Sequence, residues 1–226
     1  MTDIQEVMAV LHAAADPEAL SGMARFAIAT DGRLGISIPS LRRIAKAILP
    51  SHTLALDLWD TRVQEARLLA SMIDVPSETT EAQLERWAAD FNSWDICDQV
   101  CDNLIEHTPF AWQKIAEWHT REEEFVKRAA YALIACKAWH DKAAPDSQFT
   151  ALFPAIKSGA VDPRNFVKKA VNWAIRNTGK RNLALNQAAI ALSEELLAMD
   201  DPTARWIARD ALKELRSEKI KKRLLP

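Results

Sequence analysis

The stretch Phe125-Val126-Lys127-Arg128-Ala129 recurs 41 residues later as Phe166-Val167-Lys168-Lys169-Ala170. A looser copy, Trp206-Ile207-Ala208-Arg209, follows after another 40 residues. A period near 40 residues on a helical background is typical of HEAT-like repeats, in which helical pairs stack on their neighbours. We therefore predict an all-α, HEAT-like helical repeat solenoid, an α-α superhelix with a concave basic face, in a single domain over residues 1–226.

Prolines separate the segments that have helical periodicity. Asp16-Pro17, Asp162-Pro163 and Asp201-Pro202 each predict an N-cap followed by the first helical residue. Pro154 lies inside one segment and is expected to kink or split it. This spacing predicts about a dozen helices of ordinary length with short connections and no strand.

The composition indicates a folded protein with an uneven charge distribution. Apolar residues make up 49% of the 226 residues and charged residues 27%, which excludes a disordered chain. The five glycines are few for a sheet-rich fold of this size. The net charge is −2, yet residues 160–226 hold 14 Lys+Arg against 8 Asp+Glu. A basic surface, and with it a nucleic-acid partner, is therefore compatible with a nearly neutral chain.

Cysteine usage and the N-terminal segment predict the compartment. Three cysteines form no disulfide framework, which favours a reducing environment, and the five histidines are too scattered to complete a zinc site. The segment Met1-Thr2-Asp3-Ile4-Gln5-Glu6 lacks the apolar core of a signal peptide, and no apolar run is long enough to span a membrane. We expect a cytoplasmic protein with no metal, no other cofactor and no membrane contact.

The repeat also places one cation at equivalent positions of its three copies. Arg128, Lys169 and Arg209 occupy the fourth position, which helical periodicity turns away from the core stripe of Phe125, Val126 and their equivalents. A solenoid would align these cations as a basic column that suits nucleic-acid phosphates. An ordinary solvated helix face explains the same charges equally well.

A second pattern begins at residue 92. Asn92 or Ser93 predicts an N-cap, and Asp95 is interpreted as a first-turn partner of the helix dipole. Trp94 and Asp98 are four residues apart and share a face, away from the expected buried stripe of Ile96, Val100 and Leu104. An aromatic ring beside a carboxylate suits a flat cationic ligand, and the alternative is a half-buried tryptophan with a capping acid.

A second tryptophan outside the core favours a nucleic-acid site. Lys169, Trp173 and Arg176 form a stripe on the helix that Asp162-Pro163 is expected to open. Lys180 and Arg181 follow the helix end predicted at Gly179. Cations around an aromatic ring suit a phosphate backbone whose sugar or base packs on the ring. Two such tryptophans, a carboxylate and a basic column predict a single site.

The chain resembles the AlkD family of DNA glycosylases, which are HEAT-like repeat proteins that excise cationic N3- and N7-alkylated purines. The resemblance covers nearly the whole chain and rests on the order and spacing of several short matches. These are Met23-Ala24-Arg25-Phe26, Leu34-Gly35-Ile36 with Pro39 and Arg42-Arg43, Leu58-Trp59-Asp60, Ser93-Trp94-Asp95 with Asp98, Lys127-Arg128-Ala129-Ala130, and Phe166-Val167-Lys168-Lys169-Ala170 with Trp173.

The resemblance implies roles for individual residues. Trp94 and Trp173 match the aromatics that cradle the deoxyribose, Asp98 the catalytic carboxylate, and Arg128 the arginine that holds the backbone. Phe26 stands where better-studied members have a tyrosine, so a hydroxyl is missing there. The DNA-contacting candidates are Phe26, Arg42, Arg43, Lys127, Lys168, Lys169, Arg176, Lys180, Arg181 and Arg209.

The expected function is therefore a monofunctional glycosylase that acts as a monomer on duplex DNA containing alkylated purines. One alternative is a non-catalytic relative that binds branched or damaged DNA. Another is a protein-binding scaffold, whose concave face would need no basic column. The joint presence of Trp94, Asp98 and Arg128 favours the enzyme over the binding-only relative, and the basic column argues against the protein scaffold.

Overall fold

The computed structural model describes residues 3–224, so Met1 and Thr2 of the N-terminal segment discussed above lie outside the described residues. Between residues 3 and 224 the chain forms fifteen α-helices and one 3₁₀ helix, and no strand. Several helices of five to eight residues raise the number above the expected dozen. Contacts divide the chain into two compact units, Met1–Ala111 and Trp112–Pro226. The single domain over 1–226 stays a prediction.

The first unit is built around a buried central helix. Its helices are α1 (Ile4–Ala13), α2 (Ala19–Arg25), α3 (Ile38–Ala45), α4 (His52–Asp60), α5 (Gln64–Ile73), α6 (Glu81–Ala89), α7 (Trp94–Asn103) and a 3₁₀ turn (Ile105–His107). Helix α5 packs against α3, α4 and α7 and is buried along nearly its whole length. Trp59 and Trp87 stack in the core with ring centroids 4.0 Å apart.

The second unit carries the repeat. Its helices are α8 (Ala111–Trp118, which begins at the boundary), α9 (Glu124–His140), α10 (Asp146–Thr150), α11 (Phe153–Ala160), α12 (Asn165–Gly179), α13 (Leu183–Ala198), α14 (Pro202–Leu215) and α15 (Glu218–Leu224). The three copies lie on α9, α12 and α14, and α12 packs against both of the others. Val126, Val167 and Ile207, at the second position of each copy, are all buried. The predicted HEAT-like stacking is confirmed.

The proline-led helix starts are confirmed at one position out of three. Asp201 caps α14 by accepting a hydrogen bond from the Ala204 N–H, with Pro202 as the first helical residue. The predictions at Asp162 and Asp16 are wrong, because α12 and α2 begin three residues after each aspartate. Asp162 instead binds the side chains of Arg164 and Lys127, so its carboxylate does not cap the N–H groups of the helix. Pro154 splits its segment, since it lies in the first turn of α11.

Two features bear on the chemistry of the chain as a whole. The thiols of Cys97, Cys101 and Cys136 are buried and free of disulfide bonds. Within residues 3–224, none of the helices combines the length and the apolar character needed to cross a lipid bilayer.

Candidate nucleic-acid site

Helix α7 presents Trp94 and Asp98 on one face of the first unit. Ile96, Val100 and Leu104 are fully buried, which confirms the predicted stripe. Trp94 is the first residue of the helix and Asp98 lies one turn further, and both side chains are half-buried. Side chains four residues apart on a helix are neighbours, with Cβ atoms about 5–6 Å apart. The aromatic ring and the carboxylate therefore border the same patch of surface.

The segment after α2 is attached to this end of α7. The indole N–H of Trp94 donates to the carbonyl oxygen of Phe26 over 2.9 Å, and the N–H of Ala29 donates to Ser93 Oγ over 3.2 Å. Between them Ala27 adopts a left-handed backbone conformation with φ of 55°. The Phe26 ring is 73% exposed. An exposed aromatic side chain is thus held beside the tryptophan through its backbone.

A buried ion pair also joins the segment after α2 to helix α7. Arg33 Nη2 lies 2.5 Å from Asp95 Oδ2, and the side chains are only 2% and 10% exposed. Arg33 Nε donates to the Ala29 carbonyl over 2.6 Å, and Ser93 Oγ donates to Asp95 over 2.7 Å. Ser93 is the N-cap by position, but its hydroxyl makes no capping bond because Asp95 and Ala29 engage it. The interpretation of Asp95 as a simple dipole partner missed this pair, since Arg33 is 62 residues away.

The chain just beyond Arg33 is held by a carboxylate that the sequence did not single out. The N–H groups of Leu34 and Gly35 donate to the buried Glu65 carboxylate over 2.8 and 3.0 Å. Gly35 has φ of 83°, and a Cβ there would lie 1.9 Å from the Asp16 carbonyl oxygen. Only glycine fits both conditions. The glycine in Leu34-Gly35-Ile36 is therefore required by the backbone conformation of the segment between α2 and α3.

In the second unit, side chains of neighbouring repeat copies contact one another. The rings of Phe125 and Phe166 lie 5.4 Å apart, and the Lys168 ammonium lies 4.6 Å from the centre of the Trp206 ring. Phe125 and Phe166 are half-buried at the edge of the core, whereas Trp206 is 41% exposed. The aromatic first positions of the first two copies therefore pack on each other, and that of the third copy is covered by Lys168 of α12.

The predicted basic column is wrong for one of its three members. Arg128 is only 6% exposed, and its Nη1 donates to the Phe166 carbonyl oxygen over 2.6 Å. The reason is that α9 and α12 pack closely, so this position on α9 points toward α12. Lys169 and Arg209 are exposed as predicted. Arg128 therefore ties two repeats together, whereas Lys169 and Arg209 present their charges to solvent.

The side chains of the Trp173 stripe differ in their surroundings: Lys169 is exposed, whereas Arg176 forms an ion pair within the unit. Trp173 is half-buried, and α12 ends at Gly179 as predicted. Arg176 Nη1 and Lys180 Nζ lie 2.7 and 2.9 Å from the Glu214 carboxylate. Burial raises the pKa of Glu214, but the two cations outweigh it and leave the pKa below its ordinary value. Much of the positive charge predicted at this helix end is neutralised within the unit.

Other predicted cations also have partners inside their own unit. Lys127 Nζ and Arg164 Nη2 lie 3.1 and 2.6 Å from Asp162, and the hydrogen bonds from Arg164 and then Lys127 lower the pKa of Asp162 to about 2. Arg181 is largely buried and donates to the Ala144 carbonyl over 2.6 Å. These side chains hold helix connections in place.

The two arginines of α3 are more open to solvent. Arg42 Nη2 lies 3.6 Å from Asp102 in α7, and Arg43 donates to Ser40 Oγ over 2.9 Å. Both guanidinium groups are exposed. In the first unit the structure thus brings Phe26 to Trp94 and Arg42 to α7, and Arg43 lies beside Arg42 on α3. Arg128, Trp173 and the other predicted cations belong to the second unit.

Comparisons with known proteins agree on the family and the fold. Residues 7–215 match the family described as DNA alkylation repair enzyme. A solved structure described as a new family of proteins related to the HEAT-like repeat DNA glycosylases, with affinity for branched DNA structures, superposes with a TM-score of 0.80. It is 18% identical, and the match covers 98% of this chain and 96% of that chain. The curated proteins contain no match.

Two further solved structures match at lower TM-scores. An engineered protein is 16% identical over 96% of this chain and 99% of its own, with a TM-score of 0.45. A designed armadillo repeat protein in complex with the peptide (KR)4 is 17% identical over 95% of each chain, with a TM-score of 0.44. The similarity at 0.80 shows the HEAT-like repeat fold.

Proposed function

The chain belongs to the DNA alkylation repair enzyme family, and on that premise we propose that it is a monofunctional DNA glycosylase. Its substrates are N3- and N7-alkylated purines, such as 3-methyladenine and 7-methylguanine, in duplex DNA. The observation that carries the proposal is the α7 surface, where Asp98 lies one turn from Trp94 and Trp94 holds the backbone of the exposed Phe26.

The proposed chemistry needs no general acid. An alkylated purine carries a formal positive charge and leaves readily as a neutral base. Positive charge then develops on the deoxyribose in an oxocarbenium-like transition state. The Asp98 carboxylate stabilises that charge and orients or deprotonates the attacking water. The ring face of Trp94 packs on the sugar and favours the same developing charge.

Residues of the second unit contribute contacts with the DNA backbone in this proposal. Trp173 offers a second aromatic surface for a sugar, and exposed Lys169 and Arg209 contact phosphates without reading sequence. Arg128 fixes the relation of α9 to α12, from which Lys169 projects. Arg42, Arg43 and Lys168 are further phosphate contacts. Lys127, Arg176, Lys180 and Arg181 contribute less charge, since carboxylates inside the unit already bind them or lie close by.

The proposal includes the setting in which the enzyme works. Buried thiols that form no disulfide bond suit a reducing compartment, and we place the protein in the cytoplasm. It acts as a monomer without a metal or another cofactor, with residues 1–226 as one functional domain.

Release of 7-methylguanine from methylated duplex DNA tests the proposal. Under single-turnover conditions, Asp98→Asn should slow release at least ~100-fold, the scale of losing one well-placed electrostatic group. Asp57→Asn is the matched control, because it removes the same charge from an exposed position of α4 and should leave the rate close to wild type. Equal rates for Asp98→Asn and wild type would refute the role of Asp98.

A non-catalytic role in binding branched DNA is the second candidate. The observation that favours it is the structural similarity to a family described as having affinity for branched DNA. Binding of wild type to a four-way junction and to a duplex of matched length separates the two. Tighter junction binding with no base release from methylated DNA would replace the glycosylase proposal, whereas base release with no junction preference supports it.

A further inference from the structure

We infer that the end of α9 and the outer face of α15 form a second phosphate-binding surface for nucleic acid. This C-terminal basic surface consists of Trp139, Lys142, Lys219, Lys222 and Arg223. It shares no residue with the proposed glycosylase site. The inference rests on the DNA-binding part of the proposed function and not on its chemistry.

Trp139 organises two of the cations. Its ring is 44% exposed near the C-terminal end of α9. The Lys142 ammonium lies 5.5 Å and the Arg223 guanidinium 5.0 Å from the ring centre. Cation–π attraction at this range holds both side chains near one place. Ordering them in advance reduces the conformational entropy that binding an anion would otherwise cost.

Helix α15 adds a row of cations on one face. Lys219, Lys222 and Arg223 are exposed and follow a spacing of three and four residues, so they project to the same side. Ile220 faces inward and is 4% exposed. In the part of the chain that the structure describes, Lys142, Lys219, Lys222 and Arg223 have no carboxylate partner. Lys221 on the same helix, by contrast, lies 2.8 Å from Glu218.

Neighbouring acids do not cancel this charge. Asp141, beside Lys142 in sequence, is bound by Lys137 Nζ at 2.6 Å. Asp146 accepts hydrogen bonds from the Asn182 amide at 2.8 and 3.0 Å. Both carboxylates are thus engaged by groups outside the C-terminal basic surface. The four exposed cations retain their charge and their unused N–H donors.

The chemistry of the surface selects a phosphate backbone as its ligand. Lys142 and Arg223 lie over the Trp139 ring and leave little room for a base or a peptide side chain to stack on it. The surface therefore offers a row of hydrogen-bond donors. Such a row contacts phosphates independently of sequence. Helix α15 begins at Glu218, after the residues 7–215 that match the family. Lys219, Lys222 and Arg223 therefore lie outside the matched residues, whereas Trp139 and Lys142 lie inside them.

The salt dependence of binding to undamaged duplex DNA tests the inference. The combined variant Lys142→Ala, Lys219→Ala and Lys222→Ala removes three exposed cations without disturbing the core. The slope of log K against log salt concentration should become shallower by ~2–3, since each lost phosphate contact contributes ~0.9. Release of 7-methylguanine at saturating DNA should stay at the wild-type rate.

A charge-matched variant provides the control. Lys157→Ala, Arg216→Ala and Lys221→Ala also removes three cations from the surface, but each of these is paired with a glutamate. Its slope should stay near that of wild type. The same loss of slope in both variants, or in neither, would overturn the inference. So would a phosphatidylserine-vesicle interaction that only the first variant loses, with unchanged DNA slopes. Loss of slope without base release refutes the glycosylase proposal alone.

Discussion

The indole N–H of Trp94 donates a hydrogen bond to the main-chain carbonyl oxygen of Phe26 across 2.9 Å. This contact joins the first residue of α7 to a residue that lies 68 positions earlier in the chain. The backbone of Phe26 is thereby fixed by the tryptophan that we propose to pack on the sugar. The resemblance to the AlkD family implies a tyrosine at this position, so in the proposed site Phe26 offers a ring face without a hydroxyl.

Trp94→Phe should isolate the value of that hydrogen bond. The substitution keeps an aromatic face and removes the N–H donor. We expect single-turnover release of 7-methylguanine to slow by ~2- to 10-fold, because one hydrogen bond is worth about 0.5–1.5 kcal/mol. Trp94→Ala, which also removes the ring, should be slower still.

Trp112→Phe is the matched control for this prediction. Trp112 is half-buried against Phe149 and has no proposed role in DNA binding. Its rate should equal that of wild type. A Trp94→Phe variant as fast as the control would show that the contact with Phe26 does not support excision.

Asp95→Asn should destabilise the protein more than a comparable change at the surface. Breaking a buried ion pair leaves the Arg33 guanidinium without its carboxylate, which typically costs about 3–5 kcal/mol. Asp60→Asn is the control, since Asp60 and Arg86 form an exposed pair that is worth about 0–1 kcal/mol. Urea unfolding measures both free energies. Similar losses for the two variants would contradict the structural role given to Asp95.

The lowered pKa of Asp162 should make the free energy of unfolding depend on pH in the acid range. Its pKa is lowered from 3.8 to about 2, mainly by the hydrogen bond from Arg164 and then by that from Lys127. A carboxyl with a lowered pKa stabilises the fold above its unfolded pKa and loses that contribution as the pH falls toward the folded value. Asp162→Asn should therefore cost about 1–2 kcal/mol at neutral pH. The difference from wild type should shrink between pH 3.8 and about 2.

Urea unfolding across this pH range measures the difference, with Asp200→Asn as the control. Asp200 is fully exposed and pairs with Arg205, so its replacement should leave the stability close to that of wild type. A constant difference between wild type and Asp162→Asn from neutral pH down to the acid limit would contradict the assignment.

Local patterns were sufficient to predict an all-helical chain and its repeat, although not every helix start. Val126, Val167 and Ile207 recur at the same position of each copy, and all three are buried on helices that pack together. The stripe of Ile96, Val100 and Leu104 placed Trp94 and Asp98 on a face outside the core. These properties depend on a period of 3.6 residues within one segment, and such a period can be read without knowing any distant neighbour.

The partners of the charged residues were decided by the tertiary structure. Arg33 pairs with Asp95, Arg128 turns inward to the Phe166 carbonyl, and Glu214 binds Arg176. The members of each pair lie between 38 and 62 residues apart in the chain. A helical pattern predicts that a charged side chain lies outside the core stripe of its own helix. It does not predict whether another helix packs over that side chain. The sequence by itself determined that the chain is helical and which apolar stripes are buried, and only the packing of the helices decided which cations stay exposed.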